Sequence, residues 1–251
     1  VSEFSWRQEV SWKLQRAVVP DLESSQIPFF DAVDRAIRTG LVWLDLGCGR
    51  DLIPKWFNPK HYARLSESIK QARTIVGLDF DLPSLKDNPL VHKVRGDVVA
   101  LPFAPESFDL VTANMVVEHL SDPVAWLGEV RRILKPSGVF IFHTPNILSP
   151  LVAAGSVIPG WVRKPLIRLL EGRAEEDVFP TRYRLNTASQ IRRGARRAGF
   201  AIEELHNVCT SPVSQALGPL VIPELLTIRL IRTVRPFAFL RPDIVAVLRR
   251  I

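Results

Sequence analysis

The segment Trp43-Leu44-Asp45-Leu46-Gly47-Cys48-Gly49-Arg50-Asp51 decides how the rest of the chain is read. Leu41 to Leu46 is an apolar run carrying one carboxylate, the pattern of a buried strand in a parallel sheet, and it stops on two glycines separated by one small residue. Glycine lets the backbone turn sharply and lets peptide N–H groups approach a bound molecule more closely than a β-carbon would permit. A ligand is therefore expected at this turn, with Asp45 beside it to accept hydrogen bonds or face a cation. By itself a Gly-x-Gly after a strand is a weak signal, because ordinary tight turns use it too.

The flanking sequence strengthens it. Ile75-Val76-Gly77-Leu78-Asp79 reads as a second apolar strand ending in a carboxylate, and Val91 to Arg95 as a third, followed by Gly96-Asp97-Val98. Three strand ends then present Asp45, Asp79 and Asp97 on one edge, and open α/β sheets bind ligands at the carboxyl ends of their strands. Phe108 to Ala113 is a fourth strand, delivering Asn114-Met115-Val116-Val117-Glu118-His119. Ser121, with Pro123 just inside, is expected to start a helix whose apolar positions Val124, Leu127, Val130, Ile133 and Leu134 have helical spacing. After the Lys135-Pro-Ser-Gly138 turn, Val139 to Phe142 forms strand five, and His143 emerges on the ligand edge. Helices are also expected over Lys60 to Arg73, from an Asp81 cap through Lys86, and from a Thr187 cap through Arg197, with Gly199 ending the last.

Between Leu41 and Asn146 the sequence resembles the class I S-adenosylmethionine-dependent methyltransferases. Four segments carry the likeness: Trp43 to Gly49; Val76 to Asp79; Gly96-Asp-Val98 with Leu101-Pro-Phe103; and Ser107 to Val111 with Leu134 to Gly138. The resemblance implies a doubly wound α/β fold, Rossmann-like, with a seven-stranded, mostly parallel sheet and an antiparallel last strand. Phe200 to His206 and Asp243 to Arg249 would be the closing pair. It implies S-adenosylmethionine as cofactor, S-adenosylhomocysteine as product, and a cofactor site made by Asp45, Gly47, Cys48, Gly49, Asp79, Phe80, Asp97, Val98 and Asn114. Asp79 would hold the ribose diol, Phe80 would lie against the adenine, and Asp97 and the Val98 N–H would meet its edge. His143 and His119 are the candidate general bases, His143 being equally readable as a structural histidine.

The departures from related patterns are informative. Relatives that bind a divalent metal carry Glu-x-x-Glu-His where this chain has Met115-Val-Val-Glu118-His119, so no metal is expected. Asn114 does not begin the Asn-Pro-Pro-Tyr segment of amino-methylating nucleic-acid enzymes, which disfavours nucleic acid as substrate. A nicotinamide oxidoreductase, the less favoured alternative, would show a third glycine where this chain has Leu52 or Ile53, and Asp51 would repel a pyrophosphate.

The chain has 251 residues, enough for one α/β domain with a sizeable core. The expected parts are an N-terminal helical cover (1–40), the cofactor-binding core (41–146), an acceptor-site insertion between strands five and six (147–186), and a closing helix and strands (187–251). In the cover, Phe4, Trp6, Trp12 and Leu14 suggest one amphipathic stretch and Ile27 to Ile37 another, with Phe29 or Phe30 read as either lid or core. Pro54, Trp56, Phe57 and Pro59 suggest an irregular apolar loop beside the cofactor. Cys48 and Cys209 are the only cysteines, which excludes a disulfide framework and points to a reducing, cytoplasmic setting.

The net charge of +7 is unevenly placed: residues 1–135 hold 17 Lys/Arg against 18 Asp/Glu, and residues 136–251 hold 16 against 8. The basic part suits an anionic partner, or is a solvated face, as the run Arg192, Arg193, Arg196, Arg197 illustrates. Pro145, Pro150 and Pro159 break the apolar stretch His143 to Val162, so a cover over the acceptor fits better than a transmembrane helix. Trp161, Phe179, Arg182, Tyr183 and Arg184 are the candidate acceptor contacts. Leu217 to Leu240 is apolar and studded with Arg229, Arg232 and Arg235, as suits a lipid interface, core packing or a dimer contact alike. The reading that emerges is a methyltransferase for a small apolar, anionic or lipid-like acceptor, O-methylation favoured. The alternative is a non-catalytic lipid- or partner-binding module that kept the fold. Oligomeric state is left open.

Overall fold

A computed structural model describes residues 6–53, 59–157 and 180–251. Trp161 and Phe179, like Phe4 and the Pro54, Trp56, Phe57 loop, lie outside the described residues. In chain order the elements are α1 (Trp6–Val18), α2 (Gln26–Ala36), β1 (Val42–Leu46), α3 (Pro59–Ile69), β2 (Thr74–Asp79), α4 (Leu82–Asp87), β3 (His92–Arg95), β4 (Phe108–Asn114), α5 (Pro123–Ile133), β5 (Leu134–Pro145), α6 (Pro150–Val157), α7 (Ala188–Arg197), β6 (Phe200–Val208), α8 (Ile222–Thr233) and β7 (Asp243–Arg250). Short 3-10 helices cover Val117–His119, Val213–Val221 and Arg235–Leu240.

The strands form one seven-stranded sheet in the order β3-β2-β1-β4-β5-β7-β6, with β3 through β5 parallel. β7 runs the other way. Its last residue, Arg250, bonds the carbonyl of Leu134 at the start of β5, while Pro242, just before β7, accepts the N–H of Asn146 just past the end of β5. The antiparallel strand is thus β7, inserted between two strands of opposite direction, and the doubly wound, mostly parallel α/β sheet has the form the resemblance implies.

Local chemistry sets several boundaries. Asp81 caps α4 by accepting the Ser84 N–H, and Thr187 caps α7 by accepting that of Gln190. α5 differs from expectation: Asp122 rather than Ser121 is its cap, accepting the Ala125 N–H, because the helix begins one residue later with Pro123 in its first turn.

Backbone contacts divide the molecule into two compact units, one of residues 1–25, 145–181 and 207–243, the other of 26–144, 182–206 and 244–251. The second carries the carboxyl ends of β1, β2, β3 and β4. Its core runs from Leu44, Leu46 and Val111 to Trp126, Phe140, Phe142 and Phe200, all nearly or fully buried. Trp126 meets Phe140 edge-on at 5.3 Å, and Phe140 stacks near Phe142 at 5.1 Å. The first unit has its own small core of Val19, Leu22, Val221, Leu225 and Ile228. There α1 departs from the amphipathic reading: Ser11 is its one buried residue, and Trp6 is 63% exposed. The Ser11 hydroxyl donates to the carbonyls of Gln215 and Gly218, and Leu14 and Val18 of α1 pack against the unit's core, so a polar contact and an apolar one together hold the helix.

Candidate functional site

The turn after β1 needs glycine twice. Gly47 (φ +66°) and Gly49 (φ +53°) are both left-handed, and a β-carbon on Gly47 would sit 2.5 Å from Val116 Cγ2. The turn's N–H groups face the protein. Those of Gly47 and Cys48 donate to the Leu78 carbonyl at 2.7 and 3.2 Å, and that of Gly49 donates to Asp79 Oδ2 at 2.9 Å. Asn88 Nδ2 holds the other side, donating to the carbonyls of Cys48 and Gly49. In dinucleotide folds such amides are left for a phosphate; here three of them are already committed.

Asp79 accepts from Gly49 with one oxygen and from the Asp81 N–H (2.9 Å) with the other, which fixes its carboxylate while leaving further lone pairs for a ligand's hydroxyls. Asp45 is buried opposite Thr112 in the β1–β4 register. The Thr112 hydroxyl donates to Asp45 Oδ1 at 2.6 Å and accepts the Trp43 indole N–H at 2.8 Å, giving a Trp43–Thr112–Asp45 relay. Burial pushes Asp45 up to about 7, against the pull of the Thr112 bond and with a further push from the charge of Asp79. Burial, reinforced by Asp45 and Asp79, pushes the Cys48 thiol up as well, so it stands as a neutral packing group whose sulfur lies 2.7 Å from where a β-carbon on Gly77 would be.

Asp45, Thr112 and the Gly47–Gly49 turn line a small cleft of about 180 Å³, below the roughly 300–1,000 Å³ usual for small-molecule sites. Phe29, Phe30 and Trp43 give apolar walls; Asp45, Asp51, Thr112 and Asn114 give polar ones; Gly47 to Gly49 form the floor. Among the described lining residues there are two carboxylates and no lysine or arginine. The cleft therefore favours a cation with an aromatic body and disfavours a polyphosphate. A donor that joins a sulfonium and an ammonium to an adenosine suits the carboxylates and aromatic side chains of this lining, while Asp79 lies outside the lining, beside the Gly49 N–H that it accepts.

The remaining candidates distribute unevenly. Asn114 lines the cleft, its amide paired with Gln26 (Nδ2 to Oε1, 2.7 Å) and its Oδ1 2.9 Å from His143 Nδ1. The following residue, Met115, is left-handed (φ +57°), a conformation that costs a non-glycine residue about 1–2 kcal/mol. His143 itself is fully enclosed and stacked on Phe29 at 5.9 Å, behind Asn114 rather than on the cleft wall. His119 is partly exposed, 3.9 Å from Glu118. Glu118 is buried and accepts the Thr144 hydroxyl, which in turn accepts from Asn186.

Phe80 is 53% exposed, Asp97 is exposed with its carboxylate taking the Val99 N–H, and Val98 is half-buried; none of the three lines the cleft. Of the acceptor candidates, Arg182 and Tyr183 donate their backbone N–H groups to the Glu118 carbonyl, and Arg184 donates to the Ser121 carbonyl. Among the described residues no group of three or more His, Cys, Asp or Glu is placed to hold a metal. Thr112 and Gln26 were not foreseen. Thr112 left a faint signal, as the one hydroxyl in an otherwise apolar strand interior; Gln26 left none.

The chain is similar to known proteins in part of its sequence and in its fold. Residues 44–142 match the family model described as a methyltransferase domain. Among curated proteins, the chain is 39% identical over 90 residues to malonyl-[acyl-carrier protein] O-methyltransferase 1 of Coxiella burnetii, covering 35% of this chain and 31% of that protein. It is 38% identical over 71 residues to demethylmenaquinone methyltransferase of Renibacterium salmoninarum, covering 27% and 30%. The chain thus spans less than two fifths of the length of each of these relatives. Among solved structures, an S-adenosylmethionine-dependent methyltransferase from Mesorhizobium loti superposes with a TM-score of 0.54 at 23% identity, covering 89% of this chain and 96% of that one. That likeness establishes the shared fold.

Proposed function

We propose that the chain, whose residues 44–142 match a methyltransferase domain family model, is a class I S-adenosylmethionine-dependent enzyme that transfers the sulfonium methyl group to an oxygen of a small apolar, anionic or lipid-like acceptor. The observation that carries this reading is the cation-seeking cleft: Asp45 and Asp51 on its wall, no basic residue among its described lining, and turn amides already spent inside the protein. When bound, the cofactor supplies an intrinsically activated methyl group. The protein's task is then mainly alignment, and positioning can supply much of the acceleration.

The residues divide that task. Asp79 grips the ribose, Asp45 and Asp51 balance positive charge, and Asn114, held by Gln26 and His143, presents its amide at the cleft wall. An acceptor oxygen that arrives ionised needs no base, which suits the enclosure of His143. For a hydroxyl acceptor, His119 is the more accessible candidate, with His143 acting through Asn114. The names of the O-methylating and quinone-methylating relatives are consistent with a small acceptor, and the free thiols of Cys48 and Cys209 with a reducing, cytoplasmic setting.

Calorimetric titration with S-adenosylhomocysteine tests the cofactor half. Asp79→Ala should weaken binding by about 1–3 kcal/mol through loss of charge-assisted ribose bonds, and unchanged affinity would contradict the assignment. Labelled S-adenosylmethionine incubated with cell extract, read by mass spectrometry, tests transfer. Cofactor bound with no labelled small molecule formed would point to the non-catalytic alternative.

A further inference from the structure

The stretch Val213–Thr233 is long and apolar enough to cross a membrane by length and composition, yet only 28% of its most apolar window is buried. Its geometry rules out a crossing. Gly218 (φ +62°) with Pro219 kinks it, leaving a 3-10 segment and the 12-residue α8. Twelve residues at 1.5 Å each span about 18 Å, well short of a hydrocarbon core of about 30 Å.

α8 is apolar on two sides. Leu225, Ile228 and Ile231 face its own unit's core and are buried. Ile222, Leu226 and Leu230, spaced four apart, form a second stripe at 37, 53 and 51% exposure. Leu220 before the helix (70%) and Phe237 and Phe239 after it (37 and 53%) extend the exposed apolar set. Arg229 and Arg235 stand exposed in the same segment, and no carboxylate among the described residues pairs with either. Of the acids near the segment, Glu224 is spent on the N–H groups of Val213 and Ser214 and on the Ser214 hydroxyl, and Asp21 lies 3.9 Å from Arg232.

We propose that α8 and its flanking 3-10 turns are a docking surface for an anionic lipid bilayer, lying in the plane of the headgroups with Leu220, Ile222, Leu226 and Leu230 inserted. An exposed leucine stripe bordered by unpaired arginines is the combination an acidic interface selects. A second copy of this chain is a poorer occupant, because a two-fold pairing through this face would bring Arg229 and Arg235 of both copies together, while the nearby acids Glu224 and Asp21 already face Ser214 and Arg232. The inference is independent of the methyl-transfer reading.

Flotation of the full chain with vesicles of phosphatidylcholine, alone or with about one third phosphatidylglycerol, tests it. The protein should float with the acidic vesicles and much less with the neutral ones. Leu226→Glu with Leu230→Glu should weaken binding about tenfold or more. Arg229→Gln with Arg235→Gln, which leaves the apolar stripe intact and removes no internal contact, should cost about fivefold per arginine on acidic vesicles only. Circular dichroism checks that each variant is folded. Equal flotation of the parent and both folded variants would overturn the proposal. So would a parent chain that ignores both vesicle types and sediments as a dimer that Leu226→Glu with Leu230→Glu dissociates, which would assign the face to a second copy.

Discussion

Replacing Asp45 by asparagine separates the cost of the cleft's buried carboxylate from its use. In the folded protein burial holds this group at about 7, against 3.8 for an unperturbed aspartate. The folded state therefore keeps a proton that the unfolded chain has already lost. Stability from the neutral form is fully present below about pH 3.8 and declines as pH rises toward 7, with a slope of about 1.4 kcal/mol per pH unit. The accumulated loss is about 2 kcal/mol at pH 5, about 3 at pH 6 and about 4 at pH 8. Asparagine has nearly the same shape, still accepts from Thr112, and does not titrate. Urea denaturation of both proteins from pH 5 to 8 should show asparagine increasingly the more stable, the gap widening by about 2 kcal/mol across that range. Binding should move the opposite way. The ionised form is the one that meets a cationic ligand, so parent affinity for S-adenosylhomocysteine, whose ammonium remains, should fall about tenfold below its plateau at pH 6, while Asp45→Asn binds weakly at every pH. Parallel denaturation midpoints for the two proteins over the whole range would refute the burial argument.

Three further outcomes follow from the same geometry. Thr112→Val removes the hydrogen bond that pulls Asp45 down and orphans the buried Trp43 N–H, so the ionisation of Asp45 should move above 7 in a carboxyl NMR titration, with about 1–3 kcal/mol of stability lost. Gly47→Ala must carry a β-carbon at a left-handed position 2.5 Å from Val116 Cγ2, and should cost about 1–3 kcal/mol in urea melts; Val116→Ala should restore part of that, and a cycle with no coupling would dismiss the collision. His143→Ala should lower turnover while leaving cofactor affinity within about twofold, because its link to the cleft runs through Asn114; unchanged turnover would leave it a packing residue.

How much of this could be read in the chain depends on the sequence distance over which each feature is decided. The caps at Asp81 and Thr187 are settled by residues three apart, and both were legible. Ser121 and Asp122 are neighbours with equal capping chemistry, and only the onset of the helix chose between them. The two-sided character of α8 shows in composition as excess leucine and isoleucine, but which stripe faces the core depends on where the unit puts its partners.

The sequence by itself determined the order of strands and turns, the glycine hinge after β1, and the placement of carboxylates at strand ends, because hydrophobic period, glycine and chain direction act within a few residues. Tertiary structure alone decided that Asp45 meets Thr112, 67 residues away, through the β1–β4 register. It also decided that His143 is enclosed behind Asn114 and that Asp97 turns to its own backbone. Those outcomes depend on how the strands line up and what they bury, and the free energy of a charged or polar side chain is set by that enclosure rather than by its neighbours in the chain.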